Sequence, residues 1–180
     1  DVYRNLIVAM NLSNYSSYEI RKYIEKAIEL FPELPDFYAY YAENLFKENK
    51  FSAAKPFLEK AIFWGEKNIS NNSSVYKNIE SEVYSYLADV YIKENDFATS
   101  KKYITISLAK NKFNKRSVKQ LFFIISKMNL DCAKEIGIVY NEKNEIKFIL
   151  ELILFENKYN CYFKDILNLY FDCYDPFSDC

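Results

Sequence analysis

KYIEKAIEL at Lys22–Leu30 and KPFLEKAIF at Lys55–Phe63 decide the fold, because both contain EKAI, first from Glu25 and again 34 residues later from Glu59. In each, apolar residues recur at three- and four-residue steps, the spacing of one face of a helix. Recurrence at a fixed period means that one supersecondary unit is used more than once.

A second match is independent of the first. Lys47–Phe51 reads KENKF and Lys93–Phe97 reads KENDF, 46 residues on, with a weaker copy, ENKY, at Glu156–Tyr159. Each joins one apolar-periodic run to the next. Asn tolerates the left-handed backbone that ends a helix, so the motif predicts the turn of a helical hairpin. The aromatic after it folds back onto the hairpin. Small residues sit where the two helices must approach. Tyr38, Tyr41, Ala42 and Leu45 share one face, and Ala54, Leu58, Ala61 and Ile62 share the next. The pattern returns as Tyr84, Leu87, Ala88 and Tyr91, then Ser100, Ile104, Ser107 and Leu108.

These residues resemble the tetratricopeptide family, whose pattern is W-x2-L-G-x2-Y followed by A-x3-F, a later Ala and a Pro. Tyr38 and Tyr84 stand for the Trp, Ala42 and Ala88 for the Gly, Ala54 and Ala61 for the later alanines, and Pro32 for the closing proline. Ser100 and Ser107 depart from Ala but stay small, and the first helix reads as lacking the aromatic. The resemblance covers 16–112 best and fades beyond 115. It implies an all-α, right-handed superhelical stack of about five hairpins. Such stacks bury their core between neighbours and leave a concave face free.

The expected domain is 1–173, with hairpins at about 1–33, 36–68, 75–112, 115–141 and 143–173, an insertion at 69–80 and a flexible tail at 174–180. Ser16 or Ser17 is expected to cap the second helix. Pro56 is expected in the first turn of the fourth, where a missing N–H does no harm.

Composition agrees with helices. The chain has 180 residues, half of them hydrophobic (50%), with Gly 2 and Pro 4, too few turn-formers for a sandwich or barrel. Its formal net charge of -1 gives no global pull toward nucleic acid or membrane. Cys132, Cys161, Cys173 and Cys180 lie in the last third without a CxxC pair. They are expected to be reduced, in a cytoplasmic protein. No apolar run is long enough for a membrane span. The chain begins at Asp1 rather than Met and is expected to be part of something longer.

Catalytic chemistry has little to work with. The sequence has no His and no phosphate-cradling glycine motif, so no catalytic residue, cofactor or metal site is expected. Asp172, Asp175 and Asp179 group on the tail and read as a solvated terminus. Glu80 and Glu82 point to different helix faces. Cys132 lies near a predicted helix start, where a thiol is more acidic, but without a His partner it reads as a small apolar residue.

In tetratricopeptide arrays the ligand lies along the first helix of each hairpin. The resemblance therefore implies a groove formed by Asp36, Ala39, Tyr40, Glu43, Phe46 and Lys47, then Glu82, Ser85, Tyr86, Asp89, Ile92 and Lys93, then Arg116, Lys119, Gln120 and Phe123. Chaperone-binding members place Lys and Asn there to clamp a C-terminal carboxylate. Here Ala39, Glu43, Ser85 and Asp89 occupy those places, and their carboxylates repel an acidic tail. Tyr40 and Tyr86 beside the acids suit a basic, polar or sugar-bearing ligand; a hydrated groove with no ligand of its own is the other reading.

From Phe97 through Leu130 there is no acidic residue. Lys101, Lys102, Lys110, Lys112 and Lys115 read as a basic docking face for an acidic partner, or as a solvated face. Phe113, Phe122 and Phe123 among them invite a nucleic-acid reading, but serve a core better. The expected partners are a protein or peptide, its own upstream catalytic domain, or a second copy. The expected function is a non-catalytic interaction module of a larger bacterial protein. Residue usage and repeat style also resemble the helical C-terminal extensions of bacterial family-2 glycosyltransferases. A peptide-sensing regulator is the alternative, and a small helical enzyme the remote one.

Overall fold

The computed structural model describes residues 2–67, 74–140, 142–156, 162 and 164–167. Among these residues every regular element is helical: α1 Val2–Leu12, α2 Ser17–Leu30, α3 Pro35–Lys47, α4 Phe51–Lys67, α5 Ser74–Lys93, α6 Phe97–Lys110, α7 Lys115–Met128, α8 Cys132–Val139 and α9 Lys143–Glu156. From α1 to α8 each helix packs on its chain neighbours, α3 also reaches α5, α5 reaches α7, and α6 reaches α8. That is a stack of hairpins with α1, α3, α5 and α7 as inner helices and α2, α4, α6 and α8 as outer ones. The second helix of the fifth hairpin lies mostly outside the described residues, as do the tail 174–180 and residues 68–73 of the insertion. The rest of the insertion, from Ser74, lengthens α5.

Local signals set the ends. Ser16 caps α2 in a capping box: its Oγ accepts from the Glu19 N–H at 3.3 Å, and its own N–H donates to the Glu19 carboxylate at 3.1 Å. Asp96, Asn114 and Asp131 cap α6, α7 and α8 through their side-chain oxygens. Such caps contribute about 1 kcal/mol each. Pro35 opens α3 at its first position, where no N–H is needed. Pro56, by contrast, lies inside α4 rather than in its first turn, because the helix already begins at Phe51. Its ring leaves the Ser52 carbonyl without the usual N–H donor, at an exposed position of the helix.

Among the described residues, the first four hairpin turns each carry an Asn in the left-handed region: Asn14, Asn49, Asn95 and Asn129, at φ 56°, 59°, 60° and 50°. Counting back from these residues brings the inner helices into register. Eleven positions earlier stand Tyr3, Tyr38, Tyr84 and Val118. The first helix therefore does carry the aromatic that its sequence seemed to lack: Tyr3 packs against the first hairpin's core of Ile7, Met10, Ile20, Ile24 and Ala27. Seven positions earlier stand Ile7, Ala42, Ala88 and Phe122, all buried.

The residue directly before the Asn serves the joint between hairpins. Glu48 takes a two-pronged pair from Arg21 of the preceding outer helix, at 2.6 and 3.0 Å. Glu94 takes Lys55, the residue equivalent to Arg21, at 3.1 Å. At the third joint Met128 occupies that position, and the next equivalent base, Lys101, reaches Glu135 of α8 at 2.7 Å instead.

Ser100 and Ser107 stand where alanine was expected because they bridge helices. The Ser100 hydroxyl donates to the Ala88 carbonyl at 3.1 Å. The Ser107 hydroxyl donates to the Ser81 carbonyl at 2.7 Å and lies 2.6 Å from that of Ser117. Asn114 joins this cluster through its amide nitrogen, 2.8 Å from Ser81 Oγ. All five side chains are buried, so their hydrogen bonds offset their desolvation.

Candidate functional site

The inner helices sit side by side and line a continuous groove. A cleft of ≈ 220 Å³ between α3 and α5 is lined by Ala39, Tyr40, Glu43, Ile79, Glu82, Val83 and Tyr86. One of ≈ 480 Å³ follows over Glu43, Phe46, Lys47, Asn49, Phe51, Tyr86, Asp89, Lys93 and Arg116. A third, of ≈ 500 Å³ between α5 and α7, is lined by Asp89, Ile92, Lys93, Arg116, Lys119, Gln120 and Phe123. Glu43 and Tyr86 are common to the first two clefts, and Asp89, Lys93 and Arg116 to the last two.

Tyr86 is the centre of the groove. Its ring meets Phe46 edge to face at 4.6 Å, and the Arg116 guanidinium lies 4.2 Å above it. Arg116 donates to Asp89 at 2.9 Å and approaches Glu82 at 3.8 Å. The Gln120 amide donates to Asp89 at 2.6 Å and to the Ser85 carbonyl at 2.9 Å. The Asn114 amide donates to Glu82 at 3.0 Å. Toward α3, Lys47 lies 3.3 Å from Glu43 and donates to Asn11 at 2.8 Å. Lys93 lies 5.2 Å from the Phe51 ring centre.

Burial dominates the titration of this site. It pushes the Tyr86 phenol up to about 12, with Glu43 adding to the effect. Burial also raises the Tyr40 phenol, helped by Asp36. The Glu82 carboxyl is raised by burial, and Arg116 opposes the shift.

Two expected groove residues are committed elsewhere. Asp36 is fully buried and closed off by Arg4, which donates from both Nε and Nη2, the latter at 3.1 Å. Ser85 is buried against Gln120. The groove is therefore not the acidic surface that its inner-helix carboxylates implied. Three carboxylates, Glu43, Glu82 and Asp89, share it with Lys47, Lys93, Arg116 and Lys119. Glu43 sits on α3 and Glu82 and Asp89 on α5, while the cations are spread over all three helices, Lys47 on α3, Lys93 on α5, and Arg116 and Lys119 on α7. Arg4, Asn11, Phe51, Ile79 and Asn114 were not picked from the sequence. Asn14 was the available signal for Arg4 and Asn11, since it sets the register of α1.

The five docking lysines do not form one basic face. Lys101 pairs with Glu135, Lys110 with Glu80 at 2.7 Å, and Lys112 with Glu145 at 2.6 Å. Lys102 is exposed on α6, while Lys115 lines a separate cleft with Phe148, Glu151 and Leu152. A stretch free of acids along the chain meets the acids of α5, α8 and α9 in space. Phe122 belongs to the core, Phe123 is half-buried against Phe97, and Phe113 packs on Phe148. Cys132 is buried at the start of α8. Asp172, Asp175 and Asp179 lie outside the described residues. Among the described residues no cluster of metal-ligating side chains occurs, and no helix is long and apolar enough to cross a membrane.

No protein-family model matches the chain, and no curated protein matches it. Among solved structures it is similar to YrrB, a TPR protein with an unusual peptide-binding site. The TM-score is 0.59 over 95% of this chain and 84% of that one, at 13% identity. PilF of Pseudomonas aeruginosa covers 97% of this chain and 91% of its own at 14% identity, but at a TM-score of 0.40. The resemblance to glycosyltransferase extensions has no support among these matches.

Proposed function

We propose that this tetratricopeptide-type stack is a non-catalytic interaction module that holds a polypeptide segment of a partner protein along α3, α5 and α7. The observation that carries the reading is the continuous groove centred on Tyr86. Its floor is aromatic, with Phe46, Phe51 and Phe123 beside Tyr86, and its rim is salt-linked. Rigid aromatic rings give contact area at low entropic cost, and the paired charges give register. The interleaved charges favour a segment that itself carries both signs. The sequence alone pointed to a basic, polar or sugar-bearing ligand. YrrB, with its peptide-binding site, lends the reading support, and so does the absence of histidine.

The setting belongs to the same proposal: a larger bacterial protein, in the cytoplasm, with a glycosyltransferase as one parent. It rests on residue usage, and the adjoining coding sequence tests it. A peptide-sensing regulator needs groove amides that hold peptide backbone. Here the Gln120 amide is engaged by Asp89 and Ser85, which favours the scaffold reading.

Binding to an array of mixed-charge peptides tests the groove. Tyr86→Ala and Arg116→Ala are each expected to weaken capture by roughly tenfold or more. Capture that survives both changes overturns the proposal.

A further inference from the structure

The register fixed by the turn asparagines also compares the joints between inner helices. Thirteen positions before the Asn stand Asp36 on α3, Glu82 on α5 and Arg116 on α7, and ten before it stand Arg4 on α1 and Ala39 on α3. Two joints carry their own arginine. Between α1 and α3, Arg4 reaches across to Asp36 and donates from both Nε and Nη2. Between α5 and α7, Arg116 lies over the Tyr86 ring at 4.2 Å and donates to Asp89 at 2.9 Å. The joint between α3 and α5 is different. Ala39 stands where α1 has Arg4, and Glu82 stands where α7 has Arg116. What lies there is the ≈ 220 Å³ cleft with Tyr40, Glu43, Glu82 and Tyr86 around it, and among the described residues no Lys or Arg lines it.

We infer that an arginine side chain of the bound segment fills this cleft, its guanidinium between the carboxylates of Glu43 and Glu82 and against the rings of Tyr40 and Tyr86. The inference rests on the groove reading and narrows it to one side chain. A guest arginine completes the row, since each joint then holds one guanidinium against an inner-helix carboxylate. Tyr40 and Glu43 keep at this joint the places that Tyr86 and Asp89 hold beneath Arg116, nine and six positions before the Asn. A guanidinium suits both walls, because it donates in a planar fork to carboxylates and stacks on aromatic faces. The site is also built in advance. The buried Asn114 amide holds one Glu82 oxygen at 3.0 Å, and buried Ala39 and Val83 give the cleft an apolar base. The nearest cations of the chain are committed beside it. Lys47 lies 3.3 Å from Glu43 but donates to Asn11, and Arg116 is 3.8 Å from Glu82 but bonds Asp89. Both line the neighbouring cleft rather than this one. Burial raises the Glu82 carboxyl although Arg116 and Asn114 oppose it, so these partners leave its charge under-compensated.

The probe is N-acetyl-arginine methylamide, with its citrulline counterpart, a neutral side chain of nearly the same shape, as control. Each is titrated to about 50 mM into the isotope-labelled chain at neutral pH and matched ionic strength, and the backbone amide shifts are followed by NMR. Arginine is expected to shift the residues of α3 and α5 around the cleft, with an affinity on the order of millimolar. Citrulline is expected to bind roughly tenfold more weakly or less, and Glu82→Gln and Glu43→Gln each to weaken arginine binding by about the same factor. Circular dichroism checks that both variants stay folded. No shift at the cleft overturns the inference. So does citrulline binding equal to that of arginine, or arginine binding that survives both changes. Capture of mixed-charge peptides reads the whole groove and the fragment reads this cleft alone, so the two readings fail separately.

Discussion

The ring of Tyr76 lies against Gly65, so that a β-carbon on the glycine would overlap the ring's Cε1 and come within 2.8 Å of its hydroxyl oxygen. Gly65 is in α4, and Tyr76 belongs to the part of α5 that the insertion adds. The glycine is thus the seat of the lengthened helix. Gly65→Ala gains about 1 kcal/mol of helix propensity against an overpacking cost of roughly 1–3 kcal/mol, so it is expected to lower stability by a net of up to about 2 kcal/mol. Urea unfolding measures this. In a Tyr76→Ala background the penalty should vanish; an equal penalty there would show that the ring is not its cause.

The left-handed asparagines give a second prediction. Asn49→Ala and Asn95→Ala place a β-carbon at positive φ and are expected to cost about 1–2 kcal/mol each. Glycine at the same sites is expected to restore stability to within a few tenths. The comparison is of thermal midpoints within each trio.

Asn44 is buried between α3 and the first hairpin, and its amide makes no hydrogen bond among the described residues. An unsatisfied buried amide costs about 1–3 kcal/mol. Asn44→Leu, which keeps the branched shape, adds some volume and removes the unpaired amide, is expected to raise the urea midpoint. A clear drop would mean that the amide has a partner.

The Glu82 carboxyl is raised by burial, so its folded pKa lies above its unfolded one. The sign follows from linkage. Its contribution to stability is fully present below the unfolded pKa and is lost as pH rises through the folded pKa. Glu82→Gln is expected to be more stable than the parent at neutral pH, with the difference closing in acid. Parallel unfolding curves from pH 4 to pH 8 read this directly; a gap that widens in acid would reverse the sign.

The stack was legible in the sequence because its signals are local. EKAI and the two KEN motifs mark equivalent points of successive hairpins, and alanine at Ala42, Ala54 and Ala61 marks close helix approach. Tyr3 was missed because Asn14 carries no KEN before it, and only the backbone at Asn14 puts α1 in register. The groove's charge was misread for a different reason. Arg4, Arg116 and Gln120 neutralise or occupy Asp36 and Asp89 from 27 to 32 residues away in sequence, beyond the reach of any helical spacing. The lysines of α6 and α7 were misread in the same way, since Glu80, Glu135 and Glu145 come from helices outside that stretch.

Asp89 accepts from both Arg116 and Gln120, and these bonds tie α5 to α7 across the cleft between them. At this joint the outer helices are held by Lys101 and Glu135, like the spine of a book. A guest anion that draws Arg116 away from Asp89 would acquire a guanidinium while Gln120 and Asn114 go on holding the two pages together.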